Sequence, residues 1–197
     1  MPRTGKTAEE TRASAIDTTL ALIRKHGFEK VRLVDIAKEL GVSHAALYAH
    51  FTDKAALLDA VTERWLSETN AVLDKVCRSQ KDPRQKIQDW FVQMYQVKRK
   101  RVLYDPELYR AFDVAAATKK PYVIAHLAKV NQQLIELVKE ASGTLGTDTP
   151  QRQATILFEA TSAFHHPKLM GEHFKENREA LLKRILNAVM VGMSADR

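Results

Sequence analysis

Seven side chains between positions 43 and 54 are of types that engage a nucleic acid: Ser43, His44, Ala45, Ala46, Tyr48, His50 and Lys54. Hydroxyl, phenol, imidazole and ammonium groups donate to phosphate oxygens, contacts that position a protein on a duplex. Ser43, Tyr48, Lys54 and His50 suit that task. The small methyls of Ala45 and Ala46 let a helix approach base edges and meet thymine methyls, and His44 can hydrogen-bond an edge. The chemistry is recognition rather than bond breaking.

Those residues act together only if a scaffold presents them, and the stretch Asp35 to Phe51, DIAKELGVSHAALYAHF, reads as one. Ile36, Ala37 and Leu40 recur at helical spacing. Gly41 supplies a left-handed residue that ends the helix without a Cβ clash. Val42 can plug the corner, and Ser43 is a preferred N-cap for a second helix. Ala46, Leu47 and Phe51 are expected to face inward, with His44, Ala45, Tyr48 and His50 outward or at the edge. This is a helix-turn-helix, whose second helix enters the major groove by its N-terminal residues. A preceding helix, Glu10 to His26, carries Ile16, Leu20 and Ile23 on one face. Gly27 is its expected cap, and Phe28 and Val31 can pack back into the small core. Thr52 is expected to cap the helix after the motif, with Asp53 favourable at its positive end. Lys54 falls in a first turn whose N–H groups already favour a phosphate.

Gly27, Phe28, Val34-Asp35-Ile36-Ala37, Gly41-Val42-Ser43, Leu47-Tyr48, His50-Phe51, Lys54 and Leu57-Leu58 together resemble the TetR family of transcriptional regulators. The likeness covers roughly the first third of the chain. Leu33 departs from it, standing where the family usually has a capping Thr, so the start of the second helix falls to another cap. The resemblance implies an all-α protein: a three-helix helix-turn-helix domain over 1–52 and a larger helical ligand-binding and dimerisation domain over 53–197. It implies a homodimer on a palindromic double-stranded operator, repression released by a small molecule, and no cofactor. A DNA-binding factor with no small-molecule effector is the alternative.

The remainder reads as helices. Leu57, Leu58, Val61, Trp65, Val72 and Val76 space a long helix from Asp53 to about Ser79. Asp82-Pro83-Arg84-Gln85 is a strong helix start, followed by Ile87, Trp90, Phe91, Met94 and Val97 on a broad face. Asp105-Pro106 opens a short helix with Leu108, Tyr109 and Phe112, and Lys120-Pro121 breaks it. Another helix runs to about Ser142. Ser142-Gly143 and Gly146 mark a loop. Thr149-Pro150 opens a helix that Pro167 is expected to end, and the last helix is expected from about Phe174.

Ile156, Ala160, Ala163 and Phe164 on one of these helices, and Leu181, Leu182, Ile185, Leu186, Val189 and Met193 on the last, would make a four-helix dimer interface of the kind the resemblance implies. It also implies a ligand pocket, for which Trp90, Met94, Phe112, Phe158 and His165 are the candidates; aromatic and Met residues at helical spacing also serve as plain core. His165-His166 is not a metal pair, since adjacent helical residues point about 100° apart. Helix-end polar residues are the better account of them. The run Lys98-Arg99-Lys100-Arg101 is either a solvated helix end or a basic cluster near the base of the core that attracts DNA or engages acidic groups.

The net charge is +7. Residues 1–60 hold nine Lys or Arg against eight Asp or Glu, so affinity for DNA rests on where cations sit rather than on their number. Arg3, Lys6 and Arg12 lie in an N-terminal arm and first turn that could reach backbone or minor groove. One cysteine, Cys77, excludes an internal disulfide and a cysteine metal cluster. No phosphate loop, nucleophile elbow or HExxH appears, so no enzyme is expected. A polar N-terminus and no spanning apolar run give the expectation of a soluble, cytoplasmic protein without membrane contact.

Overall fold

The computed structural model describes residues 7–141, 143, 145–173 and 175–195. Arg3, Lys6, Ser142 and Phe174 lie outside the described residues, as does the side chain of Phe28. Ten α-helices occur among the described residues: α1 (Ala8–His26), α2 (Leu33–Leu40), α3 (His44–Tyr48), α4 (Lys54–Cys77), α5 (Pro83–Tyr104), α6 (Pro106–Ala117), α7 (Pro121–Glu140), α8 (Pro150–Ala160), α9 (Pro167–His173) and α10 (Glu179–Ala195). Short 3-10 turns lie at Phe28–Lys30 and Ser162–Phe164. None of the helices is long and apolar enough to cross a membrane. Packing divides the chain into two units, Met1–Trp65 with Glu107–Thr118, and Leu66–Pro106 with Lys119–Arg197.

In the first unit, α1 starts earlier than Glu10 because Thr7 and Glu10 form a capping box: the Glu10 N–H donates to Thr7 Oγ1 at 3.1 Å and the Thr7 N–H to Glu10 Oε2 at 2.7 Å. Ala15, Ile16 and Ile23 bury one face of α1 against Ile36 and Ala37 of α2, Leu47, Phe51 and Leu57. Leu108 of α6, distant in sequence, joins this core. No side chain caps α2; Leu33 gives up a Thr's cap and buries its side chain instead. Arg32 grips Asp35 across the first turn, Nε to Oδ2 at 3.0 Å, and holds that exposed carboxyl below its ordinary range. At the other end Gly41 takes φ 67°, and the Val42 and Gly41 N–H groups close onto the Ala37 and Lys38 carbonyls. Asp53, rather than Thr52, caps α4: its Oδ1 accepts from the Ala56 N–H at 2.7 Å. Ala46 is part-exposed rather than packed inward.

In the second unit, α5, α7, α8, α10 and the last part of α4 enclose a core of Leu73, Ile87, Trp90, Phe91, Met94, Leu134, Leu137, Val138, Leu157, Leu182 and Leu186. Asp82 caps α5, accepting from the Arg84 N–H at 2.9 Å. Gln85 turns its amide to Asp89 instead of back to the cap. Thr149 caps α8. Two expected boundaries differ. α8 ends at Ala160, where a 3-10 turn follows, so Pro167 does not end it; proline at a first helical position costs no hydrogen bond, and Pro167 begins α9. α10 begins at Glu179, its first N–H held by Asn177 Oδ1 at 3.2 Å.

Candidate nucleic-acid interface and polar core of the second unit

The recognition element is α3, preceded by Ser43 in extended conformation. Ser43 Oγ accepts from the Ala46 N–H at 3.1 Å, which satisfies one orphan donor and leaves the hydroxyl proton to give away. Leu47 is fully buried and roots the helix, so the opposite face must point out. His44 and Ala45 are exposed, as is Tyr48 at 42%. His44 and Tyr48, one turn apart, meet edge to face with ring centroids 4.6 Å apart. That contact steadies both rings before any partner arrives, and sequence reasoning missed it although the four-residue spacing signals it. His50 is half-buried beyond the helix end. Lys54 Nζ donates to the Glu29 carbonyl at 3.1 Å, so it ties the start of α4 to the turn after α1. Arg12 lies over the Phe51 ring at 5.5 Å, a cation–π contact absent from the sequence reading.

The five candidate ligand residues separate. Phe112 belongs to the first unit, tilted against Trp65 at 5.9 Å and Tyr109 at 6.3 Å. The other four are in the second unit. Trp90 and Met94 are buried in its core, and Trp90 Nε1 donates to Gln133 Oε1 at 3.3 Å. Gln133 in turn donates to Asp74, which also pairs with Lys129 at 2.7 Å; these contacts hold the Asp74 carboxyl below its ordinary range. Phe158 and His165 come together, ring centroids 4.0 Å apart, with His165 Nε2 donating to the Phe158 carbonyl at 2.9 Å.

The run from Lys98 to Arg101 is not one surface. Helical rotation turns Lys98 inward, where Nζ donates to the His165 carbonyl at 2.9 Å. Arg99 donates to the carbonyls of Glu176 and Lys175, both at 3.1 Å. Arg101 is buried and donates to Thr69 Oγ1. Lys100 alone of the four is exposed. The expectations of a solvated end or a single basic cluster are therefore corrected, because three of the four cations hold the unit's own polar groups. The paired histidines also differ: His165 is buried beyond the 3-10 turn and His166 is exposed, so neither ends a long helix. His126 pairs through Nδ1 with Asn70 Oδ1 at 2.8 Å.

Burial sets the charge states. It lowers Lys98 to about 8, with Arg101 adding to the effect, and lowers Arg101 to about 10. Desolvation, reinforced by the Lys98 charge, takes His165 to about 3 and His126 to about 4, so both rings are neutral at physiological pH. Burial raises the Cys77 thiol, which keeps it protonated and poorly nucleophilic. No group of three metal-ligating side chains occurs among the described residues.

Comparison with known proteins matches both ends of the chain. A family model described as bacterial regulatory proteins, tetR family, covers residues 15–61. Another, described as tetracyclin repressor-like, C-terminal domain, covers residues 83–186. The HTH-type transcriptional regulator AcrR of Shigella flexneri is 40% identical over 68 residues, 34% of this chain and 31% of that protein. The tetracycline repressor protein class C of Escherichia coli is 43% identical over 56 residues, 28% of this chain and 26% of that one. The matched stretch is thus a minor part of either relative's length. A TetR-family transcriptional regulator from Pectobacterium atrosepticum shares the fold, with a TM-score of 0.71 at 21% identity over 98% of both chains.

Proposed function

Because the chain belongs to the TetR family of bacterial regulatory proteins, we propose that it is a cytoplasmic repressor that binds a palindromic operator as a homodimer and is released by a small molecule. The observation that carries the DNA reading is the Ser43-capped α3. Leu47 fixes it to the core, while His44, Ala45 and Tyr48 are exposed on its outer face. Tyr48, Ser43, Lys54 and His50 hold phosphates; His44, Ala45 and Ala46 meet base edges or thymine methyls. His44 and Ala45 set sequence choice, because the first turn of the helix enters deepest.

Two such helices must sit about 34 Å apart, or a multiple of it, to read a palindrome. The outer faces of α8 and α10 support the dimer that places them there. Leu182, Leu186 and Met190 bury the inner face of α10, yet Leu181 and Val191 are 41% and 55% exposed, and Ala160 is exposed on α8. Repression with a small-molecule input is supported by the relative named a tetracycline repressor. Effector binding in the second unit favours one spacing of the reading heads over another, and that differential affinity is the whole of the coupling. Phe158 and His165 are the ligand candidates whose rings meet, tilted at 38°.

Selection of bound duplexes from a random pool tests the reading. The wild type should enrich a palindrome. Tyr48→Ala should bind it about tenfold or more weakly, the loss of a phosphate contact and of its brace on His44. Retention that follows salt alone, without enrichment, would reject sequence-specific recognition.

A further inference from the structure

Four nitrogen-bearing groups converge in the second unit, and among the described residues no acid balances the central one. Lys98 and Arg101 stand three residues apart on α5, His126 comes from α7, and His165 follows the second 3-10 turn. The Lys98 charge reaches both imidazoles, and the Arg101 charge reaches Lys98 and His126. Glu68 and Asp105 compensate Arg101. Lys98 has no such help: its ammonium donates to the His165 carbonyl, and no carboxylate pairs with it among the described residues.

Lys98 is half-buried, and an ammonium partly withdrawn from water with only a dipole for company is costly unless something else supplies the counter-charge. The surroundings suit an organic partner. The His165 and Phe158 rings pack on one another at 4.0 Å, close to the carbonyl that Lys98 grips, and burial keeps both imidazoles uncharged, so neither competes for an anion. One of the three ammonium donors is engaged by the His165 carbonyl.

We propose that Lys98 receives the acidic group of the effector, and that the effector is a small, mainly apolar carboxylic acid whose body lies along Phe158 and His165. The proposal rests on the effector-responsive reading above. The carboxylate accepts from the donors that the His165 carbonyl leaves available and gives the half-buried cation its counter-charge.

The test uses the full chain on its selected operator with matched probes, decanoate against decanol and benzoate against benzyl alcohol. In the wild type at least one acid should weaken operator binding by about tenfold while its alcohol does not, a coupling of ordinary allosteric size. Lys98→Met should abolish that difference and Lys98→Arg should keep part of it. Alcohols as effective as acids, or an acid effect that survives Lys98→Met, would overturn the proposal and leave the effector reading standing. Silence of every probe counts against the effector reading, and melting of the ligand-free proteins then judges Lys98. A Met variant melting at or above wild type supports an unbalanced cation awaiting an anion. A lower Tm makes Lys98 a structural pin for the His165 carbonyl and overturns the proposal.

Discussion

Gly146 shows how far one residue can be committed. It takes φ 96°, and a Cβ there would stand 2.1 Å from the Met193 carbonyl oxygen. That atom is backbone of α10 and cannot swing aside, so the loop before α8 approaches α10 only without a side chain. Gly146→Ala should cost about 2–3 kcal/mol, read as a lower Tm by circular dichroism. His126 and His165 make a second residue-scale commitment. Both are held neutral, to about 4 and about 3. In the unfolded chain they titrate near 6.5, so between pH 6.5 and about 4 the unfolded state binds protons that the folded state refuses. Stability therefore falls as pH drops through that window. The double variant His126→Gln with His165→Gln should show a shallower loss of Tm over the same range; an equal slope would assign the acid sensitivity to other groups.

At the scale of elements, α5 organises the segment after the second 3-10 turn. Tyr95 accepts the Arg178 N–H at 2.9 Å and donates to the Glu176 carbonyl at 3.1 Å, and Gln96 donates to Glu179 at 2.7 Å. Arg99 adds two more bonds to the carbonyls of the same stretch, and Arg178 lies over the Phe164 ring at 4.9 Å. Arg99→Ala should cost about 1–2 kcal/mol through those two charge-assisted bonds. Hydrogen exchange should show the cost locally, as faster exchange near residues 175–179 with α7 unchanged. Uniform acceleration across the second unit would instead mean that Arg99 supports the whole core.

At the scale of the molecule, α10 has two apolar faces, one packed within the chain and one exposed, and the proposed dimer uses the second. Leu182 and Leu186 are fully buried within their own chain, and Leu182→Ala should cost about 2–5 kcal/mol of folding stability. Leu181 and Val191 are exposed, and their replacement together by Asp should leave the fold intact while abolishing dimerisation. Sedimentation equilibrium should then report a monomer, with operator binding much weaker because two half-sites are no longer read as one. A double variant that remains dimeric would move the interface elsewhere.

The sequence determined whatever depends on neighbours along the chain. Gly41 and Ser43, the Asp82 and Thr149 caps, and the apolar spacing of α2, α5 and α7 are local physics, and the outward set on α3 follows once Leu47 faces in. Tertiary structure decided what depends on distant partners. Leu33 exchanges a cap for burial because the core accepts it, and Asp53, by accepting the Ala56 N–H, takes the capping role expected of Thr52. Lys54 finds the Glu29 carbonyl, and Phe112 joins Trp65 in the first unit although the chain on either side of Glu107–Thr118 belongs to the second. The run of four cations carries no sign of its division, since charge type says nothing about which carbonyl stands opposite. Only packing placed Lys98 beside His165, two residues 67 positions apart.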